Sequence, residues 1–388
     1  MISSSKTTSN PRFLKPAILS LSILTVLSGM AVSPALGQIK LAFPDASDLA
    51  VQLVLTLPPL IIIPIGLLSG RLAGRIPKRM IVLIGMVIYL LAGVGGGFMN
   101  SMVMLLVSRA FLGVGTGLIA PLSLSLIADF YDGDERSTTM GQSSAIATMG
   151  GIFLPLISGW LSVFSWRYAF AAYLIAIAVF ILVWFYLPEP TAAPETKGSR
   201  GKLPAGVFGL GLLTILLMIV FYLLPTKIAL FIQEIGIGDS RQSGLVIASL
   251  NLAAFLIGMS FGKLRKYLKR FTPLFGITVL TLGLTLIYFS SNIALISVGM
   301  FLSGLGIGSL MPLLFLSTAN LVPDTLNASA LSITNSSLYF GQFISPLVFT
   351  LIASVFRRGD IRFDFLVGAV LTGFAGIVLI VVLVSRKR

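Results

Sequence analysis

Thirteen carboxylates and 27 cations carry whatever chemistry this 388-residue chain performs, because it contains neither cysteine nor histidine. Without thiolate or imidazole there is no disulfide, no nucleophilic cysteine, no usual near-neutral proton carrier and no common zinc site. The acids are Asp45, Asp48, Asp129, Asp132, Asp134, Glu135, Glu189, Glu195, Glu234, Asp239, Asp324, Asp360 and Asp364, and all fall in loops or near the ends of apolar runs. No acid pair, metal cluster or activated nucleophile stands inside such a run, so catalysis there has no machinery and no metal or cofactor is expected. A channel filter or charged ring is missing as well. What the charges do form is two basic segments. Gly70-Arg-Leu-Ala-Gly-Arg-Ile-Pro-Lys-Arg79 is followed 192 residues later by Gly262-Lys-Leu-Arg-Lys-Tyr-Leu-Lys-Arg270, with one residue fewer and the same Gly-x-Leu start.

The elements that hold these segments are apolar. Hydrophobic residues make up 56% of the chain and charged ones 10%, against about 25% charged in ordinary globular domains. Runs near 15–37, 49–69, 79–98, 102–128, 139–161, 167–187, 205–231, 243–262, 272–290, 293–317, 329–355 and 364–385 are each long enough to cross a bilayer as a helix. Lys6, Arg12 and Lys15 ahead of the apolar residues from Ala17, with the small residues of Val32-Ser-Pro-Ala35 further along, also resemble a cleavable signal. That run is read as a retained helix, since it gives the first half as many spans as the second. Internal similarity of the basic loops means two related halves, the arrangement of secondary transporters. The expected fold is an all-α membrane protein of twelve transmembrane helices in two pseudo-symmetric six-helix bundles. A Pro-, Gly- and charge-rich stretch from Pro188 to Lys202 reads as a tether, giving bundles at 1–190 and 204–388 with a linker at 191–203. The net charge of +14 lies mostly between apolar runs on one side, so it sets topology and does not point to nucleic acid. Both termini are expected in the cytoplasm, at the cell membrane.

At this point the chain resembles the major facilitator superfamily over essentially its whole length, and its drug:proton antiporter branch in particular. Gly70, Leu72, Ala73, Arg75, Lys78 and Arg79 match that family's loop between helices two and three, while Gly74 and Pro77 depart from it. The resemblance implies a cytoplasmic latch in which Lys78 pairs with Asp129. Arg109-Ala-Phe-Leu-Gly113-Val-Gly115-Thr-Gly117 is similar to the family's Arg-x-x-x-Gly-x-Gly motif, whose arginine is tied to proton coupling. An arginine this deep in a span must be paired or face water; the alternative is one held by backbone carbonyls that braces the bundle. Gly151, Pro155 and Gly159 in helix five resemble the Gly/Pro-rich antiporter motif, with Leu154 and Ser158 in place of glycines.

A substrate cavity is expected near mid-membrane between the bundles. Asn335, Tyr339 and Gln342 share one face of helix eleven; Tyr222 and Thr226 share one of helix seven; Asn251 and Gln142 are isolated amides. Any of them can instead bond between helices. For coupling, Asp48 is the candidate carboxylate, with an N-cap as its simpler role, and Lys227 is expected near the outer interface. The expected function is a proton-coupled exporter of small amphipathic compounds, acting on a small-molecule substrate as a monomer in the lipid bilayer. The alternatives are a dedicated exporter of a sugar, purine or siderophore, a lipid flippase, or a membrane sensor that does not transport.

Overall fold

In the computed structural model, residues 11–190 and 202–385 are described. Most of the expected linker therefore lies outside the described residues, as do Lys6 and the last three residues. Twelve helices among the described residues are long and apolar enough to cross a membrane: α1 (Phe13–Ala42), α2 (Asp48–Leu72), α3 (Lys78–Phe98), α4 (Met102–Phe130), α5 (Gly133–Ser162), α6 (Trp166–Tyr186), α7 (Ala205–Glu234), α8 (Ser240–Met259), α9 (Phe261–Phe289), α10 (Ile293–Ala319), α11 (Leu326–Val355) and α12 (Ile361–Val381).

Hydrophobic side chains drive these segments into an apolar phase, where only a helix satisfies the backbone internally. Polar residues at the turns fix where each begins. Ser47 accepts from the Ala50 amide at 3.2 Å and starts α2, Ser101 accepts from Met104 at 3.2 Å and starts α4, and Asn292 accepts from Leu295 at 2.9 Å and starts α10. Asp239 and Gln242 form a capping box at the start of α8. Asp48 is thus the first residue of α2 and not its cap, which corrects the simpler role expected for it.

The internal repeat is visible in how helices touch. Gly113, Gly115 and Gly117 on α4 recur 191 residues later as Gly304, Gly306 and Gly308 on α10. A side chain at Gly115 would meet the Gly85 carbonyl at 2.8 Å, and one at Gly306 would meet the Gly276 carbonyl at the same 2.8 Å. Gly113 faces the Pro58 carbonyl on α2 and Gly304 faces the Leu250 carbonyl on α8. Small residues allow this close approach in both halves, the packing that replaces the hydrophobic effect between helices in lipid. The same offset relates Pro121 to Pro312 and Asp129 to Asn320.

The two sets of six helices meet on one face. Ser33, near the end of α1, donates to the Pro225 carbonyl of α7 at 2.5 Å, and Gly37 lies against Ala229 and Gln233. On the flank, α5 presses on α8, where a Cβ at Gly159 would stand 2.5 Å from the Ser240 carbonyl. The sets also touch where α2 meets α11, and a cavity lies between them in the half nearer the basic segments that carry Arg71, Arg75 and Lys263–Arg270.

Candidate functional site

The cavity has a volume of about 320 Å³ and is lined by α1, α2, α4, α5 and α11. Its polar walls are Ser22 and Thr25, Ser123, Ser143 and Ser144, and Ser332, Asn335, Ser336 and Tyr339. Ile62, Ile63, Leu67 and Leu124 supply apolar surface, and no charged residue lines it. Some hydroxyls are occupied: Ser22 and Ser143 share a hydrogen bond of 2.5 Å, Thr25 donates to the Ser22 carbonyl at 2.8 Å and Ser123 to Ala120 at 2.8 Å. Asn335, Ser336 and Tyr339 have no hydrogen-bond partner among the described residues and are free to serve a solute. A one-turn face of donors and acceptors beside an apolar wall suits a molecule with both characters.

Of the residues expected in this cavity, Asn335 and Tyr339 line it. The others do not. Tyr222 and Thr226 are buried in α7, and the Thr226 hydroxyl is spent on the Tyr222 carbonyl at 2.7 Å. Asn251 donates to Ile247 at 3.0 Å and lies beside Gly151 at the α5–α8 contact. Gln142 is exposed and Gln342 half-buried, and neither is in the cavity wall. The reason is geometric: helical spacing places residues on one face without saying which face looks inward. The seven serines and threonines give no periodic signal, since hydroxyls bonded to their own helix are common in apolar spans.

Arg109 is 1% exposed, inside the first bundle and outside the cavity wall. Its guanidinium donates to the Tyr173 hydroxyl at 3.0 Å and to the Ala92 and Gly93 carbonyls at 3.1 and 3.3 Å. It also lies over the Phe170 ring at 4.7 Å. A Cβ at Gly96 would stand 2.5 Å from its Nη2, so only glycine leaves it room. No carboxylate touches it among the described residues. The geometry is that of the alternative role, a brace held by backbone carbonyls that ties α3, α4 and α6 together. Arg109→Met removes these bonds and leaves two carbonyls and a phenol unpaired. It is expected to cost several kcal/mol, read as early thermal unfolding, while Tyr173→Phe costs about 1 kcal/mol.

The basic loop is balanced within its bundle. Lys78 Nζ lies 2.6 Å from Asp129 Oδ2 and 2.8 Å from the Ser125 hydroxyl. Glu189, beyond the end of α6, accepts from the Lys78 amide at 2.7 Å and the Arg79 amide at 3.1 Å, capping α3 from a distance in sequence. Arg79 in turn donates to the Trp184 carbonyl. Gly70 has open space around it and Arg75 is exposed, while Leu72 packs on the core. Glu189→Ala is expected to lower stability by about 1 kcal/mol, as loss of a cap does, measured as a lower melting temperature with the fold unchanged.

Two charges occur where the sequence reading did not place a site. Lys227 on α7 is 6% exposed and Asp364 on α12 is 2% exposed. Lys227 Nζ and Asp364 Oδ2 form an ion pair, and Asp364 Oδ1 has no partner. Phe231 packs edge-on against Phe365 at 5.4 Å beside them, and Arg362 covers the Phe231 ring at 5.1 Å. Lys227 is therefore not an interfacial residue reaching for water. The signal was partial: Lys227 lies inside an apolar run, while Asp364 stands at the first residue of the last one. Asp48, the acid expected to act, is instead exposed and paired with Lys40 at 2.9 Å.

Comparison with known proteins places this geometry. The Major Facilitator Superfamily profile matches residues 18–281 and 267–388. The Bacillibactin exporter of Bacillus subtilis (strain 168) is 22% identical over 364 residues, covering 87% of this chain and 89% of the relative. The Multidrug transporter protein MdtP of the same organism is 26% identical over 163 residues, 41% of this chain. That match spans only 29% of the length of MdtP. Among solved structures, a bacterial homolog of the human lysosomal transporter Spinster, in an inward-facing and occupied conformation, superposes with a TM-score of 0.76 at 16% identity over 97% of this chain and 96% of that one. The D-xylose-proton symporter gives 0.74 at 17% identity, covering 96% of this chain and 97% of that one. Two repeated six-helix sets, a cavity between them and this match along nearly the whole sequence lead to one conclusion: the chain belongs to the Major Facilitator Superfamily and is a multi-pass membrane transporter, not an enzyme.

Proposed function

We propose that this transporter exports small amphipathic molecules in exchange for protons, by alternating access, from the cytoplasmic side of the cell membrane. The observation that carries the reading is the placement of the cavity: its lining comes from the halves of α2, α4, α5 and α11 nearer the basic face, while α1 meets α7 and α5 meets α8 toward the other. Under the positive-inside rule the basic face is cytoplasmic, together with both termini, so the cavity lies nearer the side from which cargo is taken. The name of one relative, the Bacillibactin exporter, supports the direction. The reading takes a single copy as the working unit, since one chain supplies the residues that line the cavity.

The wall sets the cargo. With hydroxyls, an amide and a phenol but no acid, the site has no anchor for a permanent cation, and a neutral solute with several hydrogen-bonding groups fits it. The coupling role passes from Asp48 to Asp364. Held by Lys227 in a dry site toward the face opposite the basic one, its carboxylate reaches water when that face opens, which is what a proton site in an exchanger requires. The bundle hinge lies in the Gly151, Pro155 and Gly159 face of α5, and the Lys78–Asp129 pair holds the basic face in register.

A second reading is favoured by one observation: the Bacillibactin exporter matches along nearly its whole length. Under that reading the cargo is a single metabolite. Counterflow in proteoliposomes separates the two. Competition by many unrelated neutral amphipaths supports the broad exporter; competition by one chemical type supports the dedicated one. Competition by quaternary ammonium dyes alone would overturn the reading of an uncharged site.

A further inference from the structure

The two basic segments are related by the repeat, yet among the described residues only the first has acidic partners. Lys78 and Arg79 correspond to Lys269 and Arg270 at the same 191-residue offset that relates Asp129 to Asn320. In the first half the lysine has its aspartate at 2.6 Å and the following amides have Glu189. In the second half the aspartate has become an asparagine. The four ion pairs among the described residues are Lys40–Asp48, Lys78–Asp129, Lys227–Asp364 and Arg241–Asp239, so Lys263, Arg265, Lys266, Lys269 and Arg270 have no acidic partner there.

These cations are not spread evenly on a surface. The opening helix of α9, Phe261–Leu268, stops at Lys269, whose φ of 48° turns the chain out of the helix. The turn brings Arg265, Lys269 and Arg270 around a cleft of about 550 Å³, closed on the other side by Pro273 and by Leu313 and Ser317 of α10. Lys263 and Lys266 do not line it. Close to it in sequence are exposed apolar side chains: Tyr267 is 83% exposed, Met259 73% and Phe271 43%. Three donors of one sign, an aromatic fringe and an apolar wall match a phosphodiester with acyl chains attached.

We propose that this cleft binds the phosphate of an anionic phospholipid, which supplies from the membrane the negative charge that Asp129 and Glu189 supply in the first half. Arg265 and Arg270 offer paired donors suited to phosphate oxygens, Lys269 adds a point charge, and the acyl chains lie along Leu313.

The test uses the full chain in neutral detergent and reads binding of phosphatidylglycerol and phosphatidylcholine by native mass spectrometry. Near an anionic surface each cation is worth roughly five-fold in affinity, so Arg265→Gln/Lys269→Gln/Arg270→Gln is expected to weaken phosphatidylglycerol binding on the order of 100-fold. Lys263→Gln/Lys266→Gln, outside the cleft, is expected to leave most of it. Equal loss per charge in the two variants would overturn the site in favour of diffuse attraction. Displacement of the lipid by inorganic phosphate at millimolar concentration would overturn the lipid as occupant. Asn320→Asp guards against misfolding of the triple variant. It restores the missing carboxylate isosterically, and lower phosphatidylglycerol affinity with unchanged melting temperature is the expected result; undiminished affinity counts against the proposal.

Discussion

Asp364→Asn is expected to abolish transport driven by a pH gradient while leaving substrate counterflow running. The cavity that holds cargo lies among α1, α2, α4, α5 and α11, whereas Asp364 stands on α12 against Lys227 of α7. Neutralising the acid removes the proton-carrying group without touching the cargo site. For one-to-one exchange a pH difference of one unit is worth about 1.4 kcal/mol, a ten-fold concentration ratio, and the variant forfeits all of it. It also leaves a buried ammonium without a counter-charge, which costs roughly 3–5 kcal/mol when the other partner stays charged. Lys227→Gln/Asp364→Asn should therefore melt higher than Asp364→Asn alone and remain uncoupled. Purified protein in liposomes gives both readouts, and pH-driven uptake at the wild-type level in the double variant would exclude the pair from coupling.

Gly159→Leu has the second large expected effect. A Cβ there would already stand 2.5 Å from the Ser240 carbonyl and 3.1 Å from Gly244 Cα, both backbone atoms that cannot swing aside. On the facing helix, a Cβ at Gly244 would meet the Pro155 carbonyl at 2.5 Å. A leucine at either glycine holds α5 off α8 and opposes closure of this face. Overpacking of about 1–3 kcal/mol shifts a two-state equilibrium by roughly 5- to 150-fold, so turnover drops while the helices persist. Spin labels on α1 and α7 read the separation. Gly141→Leu is the control, since nothing lies within 4 Å of that position and it should transport normally.

The glycines of α5 carry a lesson about reading such chains. From sequence, Gly151, Pro155 and Gly159 resemble an antiporter motif; in the structure all three stand at the contact with α8, a partner no local pattern identifies. Span number and order were legible because burial in lipid demands long apolar helices, and the fourth span ran as expected to within two residues, 102–128 against Met102–Phe130. Less legible were helix starts. Reading the last span from 364 placed Asp364 at a helix end, where acids are ordinary, whereas α12 opens at Ile361 and buries it. Its partner Lys227 is 137 residues away, and only the fold brings them together. The cavity was half legible: Asn335 and Tyr339 announced themselves as polar residues in an apolar run, while the serines around them did not. The Gly-x-Gly-x-Gly repeat of α4 and α10 was readable from sequence, and it locates the halves more sharply than the basic loops do.

The most direct test of proton-coupled export through an uncharged cavity is flux in liposomes containing the purified chain, with pH gradient and membrane potential imposed separately. The cargo is a neutral amphipathic fluorophore, and Asp364→Asn runs in parallel. Proton-coupled export gives concentrative movement against the proton gradient, weak response to potential beyond the proton's own charge, and counterflow alone in the variant. Movement of the fluorophore down its own gradient only, with identical rates in wild type and Asp364→Asn, would contradict it.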